Sequence, residues 1–273
     1  MEPYTHISVD HSFQGRIARV TMQRPEVHNA FNTPLIQDLQ SAFTELAQDS
    51  HLHAVILAGE GKSFSAGADI QMMREAVTFS ADENVRDALR LANLMQTIDT
   101  FPCPVVARVH GPAMGGGVGL VAVCDVVLAA SHVRFAFSEV KLGIAPAVIS
   151  PYVLRKIGVT HARALFTTGE RFSAQRAYEI GLVHTVVASE QLDEALEHTI
   201  QALLSSAPQA LRACKTLARQ VGTMESTEAL LYTAETIARL RTSAEGQEGL
   251  RAFLEKRQPS WVSILNRSSE LRQ

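Results

Sequence analysis

The chain has 273 residues, 46% of them apolar and 19% charged, with 25 Lys+Arg against 28 Asp+Glu for a net charge of −3. That length and composition suit one large domain or two modest ones with a sizeable core, and exclude disorder. The balance of charge gives no general basic field for nucleic acid or an anionic membrane, and aromatics, at 6%, are too sparse for a base-stacking surface.

His6–Val9 and Arg16–Met22 are short and β-rich, separated by Gln14-Gly15, and predict a hairpin. Thr33 as N-cap and Pro34 at the first helical position open a helix to about Gln48, with Leu35, Leu39, Phe43 and Leu46 on one face. Ala54–Ala58 is a compact apolar run ending at Gly59-Glu60-Gly61, as a buried strand would be. Helical patterns return from about Asp69 and over Val85–Ile98, then Pro102 and Pro104 break the pattern before a strand at Val105–Val109. A glycine cluster, Gly111 to Gly117, leads into apolar residues able to start a helix, and Val126–Ala129 and Val133–Phe137 read as further strands. From about Ser189 the sequence is nearly all helical, with Leu192, Leu196, Ile200 and Leu203/Leu204 at helical spacing. Later helices are predicted over roughly Ala207–Gln220, Glu225–Arg241 and Ala244–Arg257. The chain thus divides into an α/β body, residues 1–195, and a helical region, residues 196–273, suited to packing on the body or on a second subunit.

No apolar run reaches the ~18–20 residues of a membrane span. The start, Met1-Glu2-Pro3-Tyr4, lacks a signal-peptide or transit-peptide pattern. Cys103, Cys124 and Cys214 are far apart and form neither a disulfide framework nor a zinc pattern. A reducing cytoplasm is the expected compartment.

The densest chemical signal is Gly115-Gly116-Gly117 at a loop-to-helix junction. Glycines let a ligand approach the backbone, and the first helical turn has N–H groups without internal partners that suit a developing oxyanion. Tight packing of a helix on a strand explains such a triplet equally well. Gly117-Val118-Gly119-Leu120-Val121-Ala122 matches a dinucleotide-binding pattern, but several residues separate it from the preceding strand, against that use. Ser63 to Asp69 forms a second small-residue junction. Asp69 is a good N-cap, and the N–H of Ala68 is a candidate second donor facing Gly116. Glu139 follows an apolar strand in a segment of low charge. Such surroundings raise a carboxylate's pKa and suit acid/base work, although a strand-end glutamate paired with Lys141 or a nearby arginine is the plainer alternative. No H-E-x-x-H or G-x-S-x-G occurs, so metal and serine-nucleophile readings have no anchor.

Four segments, in order, resemble the crotonase (enoyl-CoA hydratase/isomerase) superfamily. They are Arg24-Pro25-Glu26 with Asn29-Ala30, Phe64 to Asp69, His110-Gly111 through Gly117 with Cys124-Asp125, and Phe253-Leu254-Glu255-Lys256-Arg257. The resemblance implies a spiral of β-β-α turns with a helical C-terminal region that trimerises, often into a dimer of trimers. It implies an acyl-CoA thioester whose carbonyl is polarised by the N–H groups of Ala68 and Gly116, with Glu139 as acid/base. Coenzyme A is then part of the substrate and no metal or redox cofactor is called for. The Ala66 carbonyl would face the adenine, Gly115 would lie against the substrate, and Lys62, with Phe253 and Lys256 of a neighbouring subunit, would contact CoA.

One position departs from the two-glutamate hydratases that this chain resembles. Their first glutamate falls at Gly119, so a single carboxylate remains, and the glycine is expected to free volume for a branched substrate. The stretch Ser138 to Tyr152 is similar to bacterial hydratases of 3-methylglutaconyl-CoA or isohexenylglutaconyl-CoA. Their distal carboxylate would need a cation, for which Lys141, Arg155 and Arg90 are candidates. An isomerase working with one glutamate is the alternative within the family, and a non-catalytic CoA- or RNA-binding protein the alternative outside catalysis.

Overall fold

The computed structural model describes residues 4–262. Among them the strands, in chain order, are β1 (Ile7–Ser12), β2 (Ile17–Met22), β3 (Ala54–Gly59), β4 (Val105–Val109), β5 (Ala113–Met114), β6 (Val126–Ala130), β7 (Arg134–Ala136), β8 (Arg171–Ser173) and β9 (Thr185–Val187). The helices are α1 (Thr33–Leu46), α2 (Ile70–Ala76), α3 (Ala81–Asp99), α4 (Gly116–Val123), α5 (Ser150–Thr168), α6 (Ala174–Glu179), α7 (Leu192–Leu204), α8 (Pro208–Gln220), α9 (Ser226–Thr242) and α10 (Ala244–Leu254).

The β1–β2 hairpin is antiparallel, and β3, β4, β6 and β9 extend it in parallel into a sheet of order β1-β2-β3-β4-β6-β9. Parallel strands covered on both faces are near-continuously apolar, which is how β3 and β6 read in the sequence. A small second sheet has the order β5-β7-β8. Each β4–β5–α4 and β6–β7–α5 passage sends one strand to each sheet and then a helix outward. The earlier turns repeat this with single residues in place of the second strand, since Ser65 bridges Ala113 and Phe31 bridges Ala68, both in parallel. The result is the expected spiral of β-β-α turns with helices at its C-terminal end.

The second sheet is too short to hold itself, so side chains fix the connections. Asn29 is fully buried in a left-handed conformation (φ 52) that asparagine tolerates. Its Oδ1 accepts from the Arg24 N–H at 2.9 Å, and its Nδ2 donates to the carbonyls of Glu60 and Ser63, each at 2.9 Å. Asp125 Oδ2 accepts from the Val105 N–H at 2.7 Å and from Lys215 Nζ at 2.6 Å, tying α8 to the spiral. Phe137 packs on Phe166 and Phe172 with ring centroids 4.8 and 5.9 Å away, fixing the end of β7.

The elements differ from the sequence reading in three places. Asn32, not Thr33, caps α1, its side chain accepting from the Leu35 N–H at 2.9 Å. Both residue types cap well, and the turn after the Phe31 bridge decides between them. The segment 150–187, to which the pattern gave no elements, forms α5, β8, α6 and β9. The boundary drawn between 195 and 196 falls inside α7, whose Leu192, Leu196, Ile200 and Leu204 are part of the central core. No helix among the described residues is long and apolar enough to cross a membrane.

Replacing Asn29 should cost far more than its surface neighbours. Asn29→Ala leaves a buried N–H and two carbonyls unpaired, at about 1–3 kcal/mol for each buried group, and adds strain at positive φ. Asn29→Asp turns an oxygen toward two carbonyls and should destabilise at least as much. Urea unfolding of both variants checks this, and a loss below about 1 kcal/mol in either contradicts it.

Candidate active site

Two loops leave adjacent strands of the main sheet and run side by side, residues 60–69 after β3 and 110–115 after β4. The Phe64 and Ser65 N–H groups donate to the Pro112 carbonyl (3.0 and 3.3 Å), and the Met114 N–H donates to the Ser65 carbonyl (2.9 Å). On its other side the first loop pairs with Phe31, whose N–H donates to the Gly67 carbonyl (2.6 Å) and whose carbonyl accepts from the Asp69 N–H (2.9 Å). In a parallel bridge the residue between those two bonding groups points its own N–H the other way, and that residue is Ala68. Asp69 then caps α2 through the Gln71 N–H and pairs with Arg24 at 2.9 Å, so the loop is held at both ends.

Gly115 turns the second loop into α4 at φ 50, ψ −122, a region open to glycine. The N–H groups of Val118 and Gly119 bond back to the Gly115 carbonyl, whereas that of Gly116 heads the helix with no backbone partner among the described residues. The two loops touch here. A Cβ on Gly67 would lie 2.7 Å from the Met114 carbonyl oxygen and 3.4 Å from the Gly116 nitrogen. Ala68 and Gly116, distant in sequence, line one cavity of about 310 Å³.

Glu139 reaches the same cavity from the single-turn helix Ser138–Leu142 that follows β7. A Cβ on Gly115 would be 3.1 Å from its Oε1, so glycine there also makes room for the carboxylate. Its Oε2 is buried without a hydrogen-bond partner. Burial pushes its pKa above the ordinary glutamate value, opposed only by its own backbone N–H, and no cation pulls it down. Among the described residues Glu139 thus forms no pair with Lys141 or an arginine. Glu139 is the one charged residue among the described residues of the cavity wall, which is otherwise built of groups such as Phe31, Met72, Leu91, Ile144 and Ile149.

Of the other sequence candidates, Ala66 and Gly115 line the cavity. Lys62 is exposed on the loop before Ser63 and stands outside the wall, as do Phe253 in the last turn of α10 and Lys256 just after it. Gly119 is corrected: it does not line the cavity, and the volume it was expected to free is filled by Ile149, whose Cγ2 lies 2.2 Å from where a Gly119 Cβ would be. The cations expected for a distal carboxylate are not in the wall either. Arg155 pairs with Asp99 at 2.7 Å, Arg90 with Asp87 at 3.0 Å, and Lys141 is exposed. The dinucleotide-like Gly117 to Ala122 is buried helix. The sequence reading passed over Phe31, Leu91 and Ile149. Their only signal was apolarity, which a core residue shares.

The Enoyl-CoA hydratase/isomerase family matches residues 12–264. A short-chain-enoyl-CoA hydratase of Clostridium acetobutylicum is 32% identical over 246 residues, covering 89% of this chain and 93% of its own. An enoyl-CoA hydratase of Alternaria alternata is 34% identical over 88% of this chain and 79% of its own. The crystal structure of an enoyl-CoA hydratase from Shewanella pealeana superposes with a TM-score of 0.90 at 39% identity, covering 94% of this chain and 96% of that one. The paired loops and the extent of these matches agree, and the chain belongs to the enoyl-CoA hydratase/isomerase family, the crotonases.

Proposed function

We propose that this protein is an enoyl-CoA hydratase that uses Glu139 alone as acid and base on a thioester with an apolar acyl chain. The observation that carries this reading is a carboxylate whose Oε2 is buried without a partner, in a small apolar cavity that Ala68 and Gly116 also line. The thioester oxygen sits at the N–H groups of Ala68 and Gly116. Glu139 takes a proton from water as its oxygen bonds to the β-carbon, and the electron pair of the double bond moves onto the thioester oxygen as an enolate. Glu139 then returns its proton to the α-carbon, the carbonyl re-forms, and the carboxylate is regenerated. Donors of this kind stabilise the charge that develops, each by ~2.7–4 kcal/mol. The steps use no metal or redox group.

The acyl chain is the finer question. A 3-methylglutaconyl or isohexenylglutaconyl group would bring a second carboxylate into a wall whose described residues hold Glu139 and no cation. Burying an unpaired charge beside another of the same sign is unfavourable by several kcal/mol. An uncharged branched or short chain fits the lining better. An isomerase stays as the second reading because moving a proton between carbons needs one carboxylate, which is what this cavity offers.

A trimer or dimer of trimers through the C-terminal region is proposed with the function. Supporting it, Leu230 and Leu231 on α9 and Phe253 and Leu254 at the end of α10 are exposed, the last two at 81% and 78%. Lys62, with Phe253 and Lys256 of a neighbouring subunit, then serves as a CoA contact, and the cytoplasm is the proposed location.

Crotonyl-CoA and 3-methylcrotonyl-CoA, followed by loss of the conjugated thioester absorbance and by product mass, test the reaction. Hydration predicts a water adduct. A shifted double bond with unchanged mass moves the isomerase forward. Glu139→Gln should lower kcat by roughly 10²–10⁴-fold with little change in KM, and an undiminished rate removes Glu139 from its role.

The raised pKa also fixes two pH dependences. Since the first step needs the carboxylate, kcat/KM should fall on the acid side of a pKa above the ordinary glutamate value of 4.5. For stability the sign runs oppositely. The folded state holds the Glu139 proton more tightly than the unfolded one, so this group's contribution is full below the unfolded pKa and is lost as pH rises through the folded value. Glu139→Gln should therefore melt at or above the wild-type temperature at pH 7, with the difference shrinking near pH 4. A variant that is less stable at pH 7 contradicts this.

A further inference from the structure

Ile149 sits at the N-cap of α5 and is 2% exposed. Its side chain lies between the acyl cavity, which it lines, and Gly119 on α4, which it screens from that cavity. The contact is unusually tight. A Cβ on Gly119 would meet Ile149 Cγ2 at 2.2 Å, Ile149 Cβ at 3.0 Å and Met95 Cε at 3.2 Å. Both Cγ2 and Cβ stand next to the backbone, so no change of rotamer at the end of a flexible chain relieves the overlap. That backbone is itself fixed, because the Ile149 carbonyl accepts from the N–H groups of Tyr152 and Val153, each at 3.1 Å. Ile149 and Gly119 therefore form a matched pair across α4 and α5, in which one residue can be large only because the other has no side chain.

We infer that Ile149, through this pairing with Gly119, is a specificity-determining residue: it closes the inner wall of the acyl cavity and selects acyl groups by bulk next to the reacting carbons. The inference rests on the acyl-CoA reading above and adds the residue that sets its selectivity. Removing the side chain to Cβ opens the cavity toward Gly119 and Met95, in an apolar region that stays dry and accepts hydrocarbon. One extra or missing methylene in an apolar pocket is worth roughly 10–200-fold in discrimination.

Binding of saturated thioesters tests this without any turnover. Butyryl-CoA, isovaleryl-CoA and octanoyl-CoA are titrated by calorimetry into wild-type protein, Ile149→Ala and Ile149→Val. Ile149→Ala should shift the affinity ratio of the branched or longer chain over butyryl by roughly ten-fold or more, with a smaller shift in the same direction for Ile149→Val. An unshifted ratio in either folded variant overturns the proposal and leaves the acyl-CoA reading intact, whereas wild-type protein that binds no acyl-CoA overturns both.

Thermal melting supplies the second readout. Gly119→Ala should lower Tm, and adding Ile149→Ala to it should restore part of the loss, so that the double variant is more stable than the two single losses predict. Ile149→Val keeps both branches at Cβ and should restore much less. Losses that simply add would show that the two side chains do not compete for the same space, and would overturn the pairing.

Discussion

The parallel pairing of the loop after β3 with the loop after β4 is the constraint on which the rest of the site depends. Strands that run in parallel from one sheet deliver their C-terminal loops to the same end of the molecule, where Ser65 bridges Ala113 and Phe31 bridges Ala68. Neither contact is a strand in its own right, so neither is stable alone. They persist because Asn29, and Asp69 with Arg24, hold the two ends of the loop after β3 from outside the seam. Close approach also demands small residues. A Cβ on Gly111 would meet the Lys62 carbonyl oxygen at 2.3 Å, and one on Gly117 the Ser65 carbonyl oxygen at 2.5 Å. The glycines are spent on bringing two backbones together, and the pair of free N–H groups is the consequence.

Once those donors are fixed, the electrostatics of the cavity follow from what is left out of it. Glu139 has an apolar wall, a buried oxygen without a partner and, among the described residues, no ion pair. A surface glutamate in the same turn would gain water and lose basicity. The protein accepts a less favourable carboxylate at neutral pH and obtains a proton carrier whose affinity lies nearer the working range. The aromatic packing of Phe137 against Phe166 and Phe172 matters here, because it holds the backbone that presents Glu139 without placing a polar group beside it.

Much of this was legible in the sequence, for reasons that differ by residue. Val105–Val109 and Ala54–Ala58 read as strands because burial on both faces leaves an apolar run with no other explanation. Asp69 and the glycine triplet announced helix starts, and Glu139 stood out as a lone charge after an apolar strand. What spacing could not supply was the contact between distant segments. Gly119 reads as empty space until Ile149 is seen in it, thirty residues away along the chain. Arg155 and Arg90 read as available cations until Asp99 and Asp87 are found beside them. The elements over 150–187 escaped because β8 and β9 are three residues each, too short for a period to show, and because α5 is broken at Gly158 (φ 71).

The site divides physically into a part that must stay as it is and a part free to change. The donors are main-chain groups, so no side-chain substitution removes them unless it breaks the seam, and the seam rejects almost any added atom. The opposite wall, from Leu142 to Ile149, is a connection between a single-turn helix and α5. Most of its residues are exposed, Pro146 and Ile149 being the buried ones. In the proposed mechanism, stabilisation of the enolate and selection of the acyl group therefore fall to different segments under different constraints. On the proposed reading, that separation lets the position of Gly119 be filled by hydrocarbon from a neighbouring helix without disturbing the seam that carries Ala68 and Gly116.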